Sequence, residues 1–293
     1  MKKNNTMNAD KIYKLFIYVA LITLAISIII PVLWVTLASI KQNSEFYTNP
    51  WALPKEFYFQ NFIDAIEKAK MGQYFLNSVF VTAIAIVLLL AISIPASYVL
   101  ARFDFKGKKF INTLFMAGLF INVNYIVVPI FLMLLKWDEQ LMKVFDKGVF
   151  LDNIFILALV YASTAVPFTI YLVSNFFKTI PKTYEEAAFI DGAGYFKTMF
   201  SIMIPMAKPS IITVILFNFL SFWNEYIIAL TLMPGTSKTL PVGLINLMQS
   251  QRAAANYGQM YAGLVLVMLP TLILYMLVQK QLTQGMTLGG IKE

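Results

Sequence analysis

Six long apolar runs constrain this chain more than any other feature. They lie at roughly 15–38, 75–100, 110–135, 154–175, 209–232 and 258–279. A helix that crosses a bilayer needs about 20 mostly apolar residues, and each run is that long. Inside lipid every backbone N–H and C=O must be satisfied within the segment, so the runs are expected to be helices. The expected fold class is an all-α membrane protein with six transmembrane helices. The composition agrees: 59% of residues are hydrophobic, 13% are charged, and mean hydropathy is +0.71. With neither Cys nor His in the sequence, disulfides, a thiolate nucleophile, a histidine base and the usual zinc ligands are all excluded. No metal or cofactor is expected.

Charge sets the orientation. The first run follows Lys2, Lys3, Lys11 and Lys14, like a secretion signal. It is too long for one and no small-residue cleavage site follows, so it reads as an uncleaved anchor. With the N-terminus inside, the inner segments 1–14, 101–109, 176–208 and 280–293 hold 14 Lys and Arg, and the outer segments hold 9. Arg102, Lys106, Lys108 and Lys109 crowd one short turn. This bias places both termini in the cytoplasm. The net charge of +8 then belongs to a solvated inner face, and no nucleic-acid partner is expected. The boundaries that follow are a cytoplasmic segment 1–14, a transmembrane domain 15–279 and a cytoplasmic tail 280–293. Pro31, Pro95, Pro129, Pro167 and Pro270 fall inside the runs, where proline adjusts packing geometry.

A polar stretch, about 181–208, separates the fourth and fifth runs. Pro181 stops the fourth helix, and Thr183 stands three residues before Glu186, the spacing of a capping box. Glu185, Glu186 and Asp191 belong to the short helix that follows. Ala187 and Ala188 give it a small face that another surface can approach. Gly192 and Gly194 permit a turn. A second short helix is expected from Tyr195 toward Met203, ended by Pro205 and Pro209, which start span five.

These residues carry a resemblance. Glu186-Ala187-Ala188, Gly192 after three residues, then Ile202 and Pro205 after nine more, resemble the EAA loop of binding-protein-dependent ABC importer permeases. The wider segment from Glu186 to Ala193 resembles the carbohydrate-importing branch, as do the region from Trp51 to Phe62, Asn77-Ser78 and the turn Arg102–Lys108. Ile204 replaces the Leu usual before the proline. The resemblance covers about Leu15 to Lys292. It implies a bacterial inner-membrane permease subunit with a coupling helix between spans four and five. Its implied partners are a second homologous permease, two ATP-binding cassette subunits, an extracellular sugar-binding protein and membrane lipid. It implies that Glu186, Ala187, Ala188, Asp191, Gly192, Ala193, Ile202 and Pro205 contact the ATPase. In the tail, Gly285, Gly289 and Lys292 would touch the ATPase pair. Gly290 stands where the family commonly has Ala, and Glu293 where it ends in Gly.

A second polar cluster ends span five: Asn218, Trp223, Asn224 and Glu225. Glu225 lies about 16 residues into the run, about 24 Å from its inner end, where a carboxylate reaches water. An acid in a span is a pathway candidate; the alternative is an interfacial Trp beside capping residues. The chain has no G-x-x-x-x-G-K-[ST] motif, so it does not itself cradle ATP phosphates and is not expected to be an enzyme. Energy must come from a partner. A permease for glycerol phosphate or a polyol is an alternative, but phosphate recognition wants Arg or Lys in the pathway, and no span has one in its interior. An ion-coupled secondary transporter usually shows repeated halves and buried ionisable residues, and Glu225 alone is thin support for one. An intramembrane enzyme is hard to build without His or Cys. The expected topology has a direct check. Single cysteines at Ser44 and Asn153 should react with an impermeant reagent from outside sealed cells, and one at Lys197 should not; labelling of Lys197 would contradict it.

Overall fold

A computed structural model describes residues 2–145, 148–250 and 256–290, and every regular element among them is helical. The order is α1 (Lys2–Ser39), α2 (Asn43–Thr48), α3 (Gln60–Glu67), α4 (Met71–Arg102), α5 (Lys108–Gly118), α6 (Val123–Leu141), α7 (Ile154–Thr179) and α8 (Thr183–Ile190). Then come α9 (Tyr195–Thr198), a π-helical turn (Met199–Met203), α10 (Ile204–Met206), α11 (Lys208–Asn224), α12 (Ile227–Leu232), α13 (Leu240–Ser250) and α14 (Tyr257–Gly290). The apolar stretches Tyr13–Ser39, Met71–Arg102, Ile154–Thr179 and Tyr257–Gln279 are each long enough to cross a bilayer as one helix.

The third and fifth expected spans are not straight. Run 110–135 breaks after Gly118, and α5 and α6 meet at 102°. The local cause is Asn122, whose extended backbone and side-chain carbonyl cap α6 by accepting the Asn124 N–H at 2.9 Å. Hydropathy cannot see such a break, because both flanks remain apolar. Run 209–232 likewise divides at Glu225 and Tyr226, giving α11 and α12. The segment Tyr195–Met206 joins α11 at 72°. The sixth helix extends past residue 279, with helical backbone to Gly290. Gly285 and Gly289 therefore stand in a helix that continues span six; Lys292 lies outside the described residues.

The chain divides into two compact units. The first comprises residues 1–71 and 246–266, the second residues 72–245 and 267–293. In the first, the Trp34, Phe46 and Tyr261 rings meet at 5.1–5.7 Å. Asn61 is buried and donates from its amide to the carbonyls of Ser39 (2.9 Å) and Lys41 (2.8 Å), closing the end of α1. A β-carbon at Gly258 would stand 2.5 Å from that amide, so a larger residue there would have to displace the Asn61 side chain.

The core of the second unit is formed by α4, α6, α7, α11 and α12, around Ala85, Leu89, Leu157, Ala158, Tyr161, Ala162, Phe222 and Ala229. Apolar burial gains little inside lipid, so small residues that let backbones approach do the packing. The alanines in this list serve that end. Gly118 goes further: a β-carbon there would lie 2.8 Å from the Pro167 ring of α7. Near the end of α6, buried Asp138 accepts the N–H groups of Val149, Phe150 and Leu151 at 2.6–2.8 Å and holds the chain leading into α7. That leaves two features of this unit available for function: the polar loop at 181–208 and a cavity beside α7 and α11.

Candidate functional site

The loop begins where α7 ends at Ile180. Lys182 already has helical backbone angles, so the chain enters α8 one residue earlier than the capping-box reading expects. Thr183 becomes the first helical residue and makes no cap bond. The N–H groups of Glu185 and Glu186 are instead satisfied by the Lys182 carbonyl at 3.0 and 3.1 Å. Glu186 is exposed and caps nothing.

Its neighbour Glu185 is the anchored acid. Glu185 is buried; one carboxylate oxygen accepts the Tyr98 hydroxyl at 2.8 Å and the other lies 3.2 Å from Arg102 Nε. The same guanidinium donates from Nη2 to the Ile180 carbonyl at 2.6 Å. One arginine at the last residue of α4 therefore grips both the end of α7 and the start of α8. The Arg102 and Glu185 side chains are only 6% and 10% exposed, so little water screens the pair. In the sequence Arg102 stands out only for charge bias and for the turn to Lys108, and the capping spacing points to Glu186 instead of Glu185. The available signal was a cation at the end of one span and two adjacent acids at the start of the next polar helix.

The other end of α8 closes on glycine. Gly192 has φ +77°, in the left-handed region. Its N–H donates to the Phe189 carbonyl (3.1 Å), and the Ala193 N–H donates to the Ala188 carbonyl (2.9 Å). This is a Schellman closure, which needs a residue without a β-carbon penalty at that position. Nothing lies within 4 Å of where a Gly192 side chain would start, so within this chain it is the backbone angle that requires glycine. Gly194 has an ordinary negative φ and starts α9.

The second half of the loop packs inward through Met199, Met203 and Ala207, against Tyr98, Val173, Phe177 and Val214. Pro205 sits inside α10 rather than ending the preceding helix. Lacking an N–H and crowding the carbonyl four residues back, a proline favours a wider turn before it, and a π-helical turn is found at Met199–Met203. Ile202 is half-buried and Pro205 exposed. On α8, Glu185 and Ala188 face inward, while Glu186, Ala187, Ile190 and Asp191 are uncovered. Ile190 is 85% exposed and Phe196 78%, so the loop turns large apolar side chains outward as well as charge.

The second feature is a cavity of about 400 Å³, lined by Asn124 of α6, by Tyr161, Thr164 and Phe168 of α7, and by Phe217, Asn218 and Ser221 of α11, with Glu225 at its end. Glu225 accepts the Tyr161 hydroxyl (2.9 Å) and the N–H groups of Ile228 (2.8 Å) and Ala229 (3.1 Å). It thus both lines the cavity and caps α12. Asn218 donates from its amide to Thr169 Oγ1 (3.1 Å) and to the Val214 carbonyl (2.7 Å). Trp223 is placed elsewhere: it is buried, packs on Phe75 and Phe219, and donates from its indole to the Val267 carbonyl at 3.0 Å. Asn224 is exposed, bonds back to Leu220, and is not among the lining residues. Of the four residues at the end of span five, the structure brings Asn218 and Glu225 to one cavity.

A two-sided loop held against spans and a cavity between broken helices are the features of a membrane permease. Residues 93–288 match the binding-protein-dependent transport system inner membrane component family, and the chain belongs to that family. The diacetylchitobiose uptake system permease protein NgcG of Streptomyces coelicolor is 32% identical over 97% of this chain and 91% of its own. The melibiose/raffinose/stachyose import permease protein MelC of Bacillus subtilis is 29% identical over 84% of this chain and 85% of its own. Among solved structures, a chain of a bacterial ABC transporter involved in import of the acidic polysaccharide alginate superposes with TM-score 0.76. It covers 93% of this chain and 97% of its own, at 23% identity, and so speaks for the fold.

The Arg102 grip has a measurable worth. Removing one partner of a buried ion pair costs about 3–5 kcal/mol. Arg102→Ala and Glu185→Ala should each lower thermal stability in detergent by that order. The double variant should cost less than the sum, because neither charge is left unpaired. Additive losses would show that the two side chains do not act as a pair.

Proposed function

We propose that this chain is the permease subunit of an ATP-driven, binding-protein-dependent importer of neutral di- or oligosaccharides in a bacterial cell membrane. It forms half of the translocation pathway with a second homologous permease, and both its termini are cytoplasmic. An extracellular sugar-binding protein delivers the solute. Two ATP-binding cassette subunits dock on the loop 181–208 and supply the energy. The chain performs no covalent chemistry.

One observation carries this reading: the two-sidedness of α8. Its inner face is tied to α4 through Glu185, whose partner Arg102 also holds the end of α7, and its outer face presents Glu186, Ala187 and Ile190 uncovered. A helix held this way can be pushed or pulled from outside without detaching from the spans. Motion of the ATPase subunits on ATP binding would reach α4 and α7 through the same contacts, and the permease pair would alternate its opening. Asp191, Gly192 and Ala193 shape the end of the docking helix, and Ile202 and Pro205 shape the segment that returns to span five. Gly285, Gly289 and Lys292 remain tail-contact candidates.

The saccharide assignment rests on the sugar-importing relatives and on the cavity lining. No Lys or Arg lines it, so an anionic solute such as glycerol phosphate finds no cation there. Amide and hydroxyl groups of Asn124, Asn218, Ser221 and Thr164 suit sugar hydroxyls. Phe168 and Phe217, in edge contact at 6.0 Å, offer ring faces to the apolar side of a pyranose.

Two sets of variants test these parts separately. Glu186→Lys reverses the charge of the outer face in the first turns of α8, and Gly192→Trp forces a bulky residue into the left-handed turn. Both should weaken ATPase retention in the purified complex or sharply lower binding-protein-stimulated ATP hydrolysis, with sugar specificity unchanged. Normal retention, stimulation and uptake in both would remove the loop from the coupling role. Ser221→Trp fills the cavity. It should cut sugar uptake at least tenfold while the complex still assembles with its ATPase; undiminished uptake would place the pathway elsewhere.

A further inference from the structure

In the first unit, residues 50–59 carry large apolar side chains that the chain leaves uncovered. Trp51 is 74% exposed, Leu53 73% and Phe57 71%. Uncovered apolar groups clustered in ten residues mark a surface with a partner. The geometry of the segment identifies that partner.

Both ends of the segment are pinned to the end of α1. Lys41 is buried, and its ammonium donates to the carbonyls of Pro50 (2.9 Å) and Asn49 (3.4 Å). The Tyr58 N–H donates to the Ile40 carbonyl at 2.9 Å. Residues 50–58 therefore leave and rejoin α1 at the same place and form a closed flap. The direction of the flap is set by Trp51, whose ring centroid lies 5.0 Å from that of Trp34. Trp34 is inside the apolar span Tyr13–Ser39, five residues short of its end, or about 7 Å along the helix axis. The flap thus folds back beside the last turns of the span instead of projecting into water beyond it.

Composition fits that depth. Trp, Phe and Tyr are favoured at the level of lipid headgroups, where an apolar ring and a polar edge are both accommodated. Within 50–59 the charged side chains are Lys55 and Glu56. The Lys55 N–H donates to Glu45 Oε2 at 3.1 Å, which ties the charged part of the flap to α2. A long lysine stem then allows the ammonium to reach phosphate while the neighbouring rings stay deeper. Pro50 and Pro54 limit the freedom that the flap would lose on insertion.

We propose that residues 50–59 are a membrane-interface anchor, with Trp51, Leu53 and Phe57 seated in the headgroup and upper acyl region of the leaflet where α1 ends. The anchor would fix the depth and tilt of α1, whose apolar window stays uncovered among the described residues of its unit.

The native chain has no Cys, so single cysteines can be placed cleanly. Leu53→Cys and Phe57→Cys alter exposed positions and leave the Trp34–Trp51 contact in place. Each is spin-labelled in the whole transporter, assembled with cysteine-free partner subunits in phospholipid nanodiscs. Power-saturation electron paramagnetic resonance then compares collision with oxygen and with a water-soluble nickel chelate. Oxygen accessibility above that of the chelate at both sites is expected. Higher chelate accessibility at either site would place the flap in water. Low accessibility to both reagents would place it under a neighbouring subunit. Either result overturns the anchor.

Discussion

The contact of Arg102 with the Ile180 carbonyl and with Glu185, whose carboxylate also accepts the Tyr98 hydroxyl, is the point on which the architecture of the polar loop depends. Three stretches far apart in sequence meet there: the end of α4, the end of α7 and the start of α8. A guanidinium is always charged and offers five donors in a fixed plane, so it can hold a carboxylate and a carbonyl together. Buried as it is, the pair adds little net stability over an apolar replacement, while losing one partner is costly. Its value is geometric. It sets where the polar loop leaves the spans and which face of α8 points away from them.

Everything on the outer face of the loop follows from that orientation. With Glu185 turned inward, helical periodicity leaves Glu186, Ala187 and Ile190 uncovered. With Ala188 inward, the Schellman closure at Gly192 can turn the chain back toward α9. The methionines of the π-helical turn then fill the space under the loop against Tyr98 and Phe177. The same logic recurs on α11 and α12, where Glu225 ends one helix and caps the next while keeping an oxygen on the Tyr161 hydroxyl. In each case a carboxylate fixes a break in the helical path, and the break positions the functional surface.

Much of this was legible in the sequence. The apolar runs located the membrane helices because hydropathy and length are properties of the segment alone. The spacing from Glu186 to Pro205 located the loop, and Gly192 was recognisable as a turn because only glycine takes a left-handed angle freely. The missed features all depend on tertiary partners or on single backbone choices. Asn122 breaks an apolar run that hydropathy averages over. Lys182 starts α8 a residue early, which removes the capping box and swaps the roles of Glu185 and Glu186. Trp223 stands in the sequence among the pathway candidates, yet its indole is spent on the Val267 carbonyl. Nothing local distinguishes a tryptophan that packs from one that faces a cavity.

The outer face of α8 is the proposed docking surface of the energy source. Ile190 is the most direct reporter, since it is 85% exposed and touches none of the anchoring contacts. A photo-crosslinking phenylalanine analogue placed at 190 can be activated in membranes that contain the whole transporter. An adduct with the ATP-binding cassette subunit is expected, lost when that subunit is not expressed. Crosslinks to lipid or to another permease segment, with none to the ATPase, would contradict it.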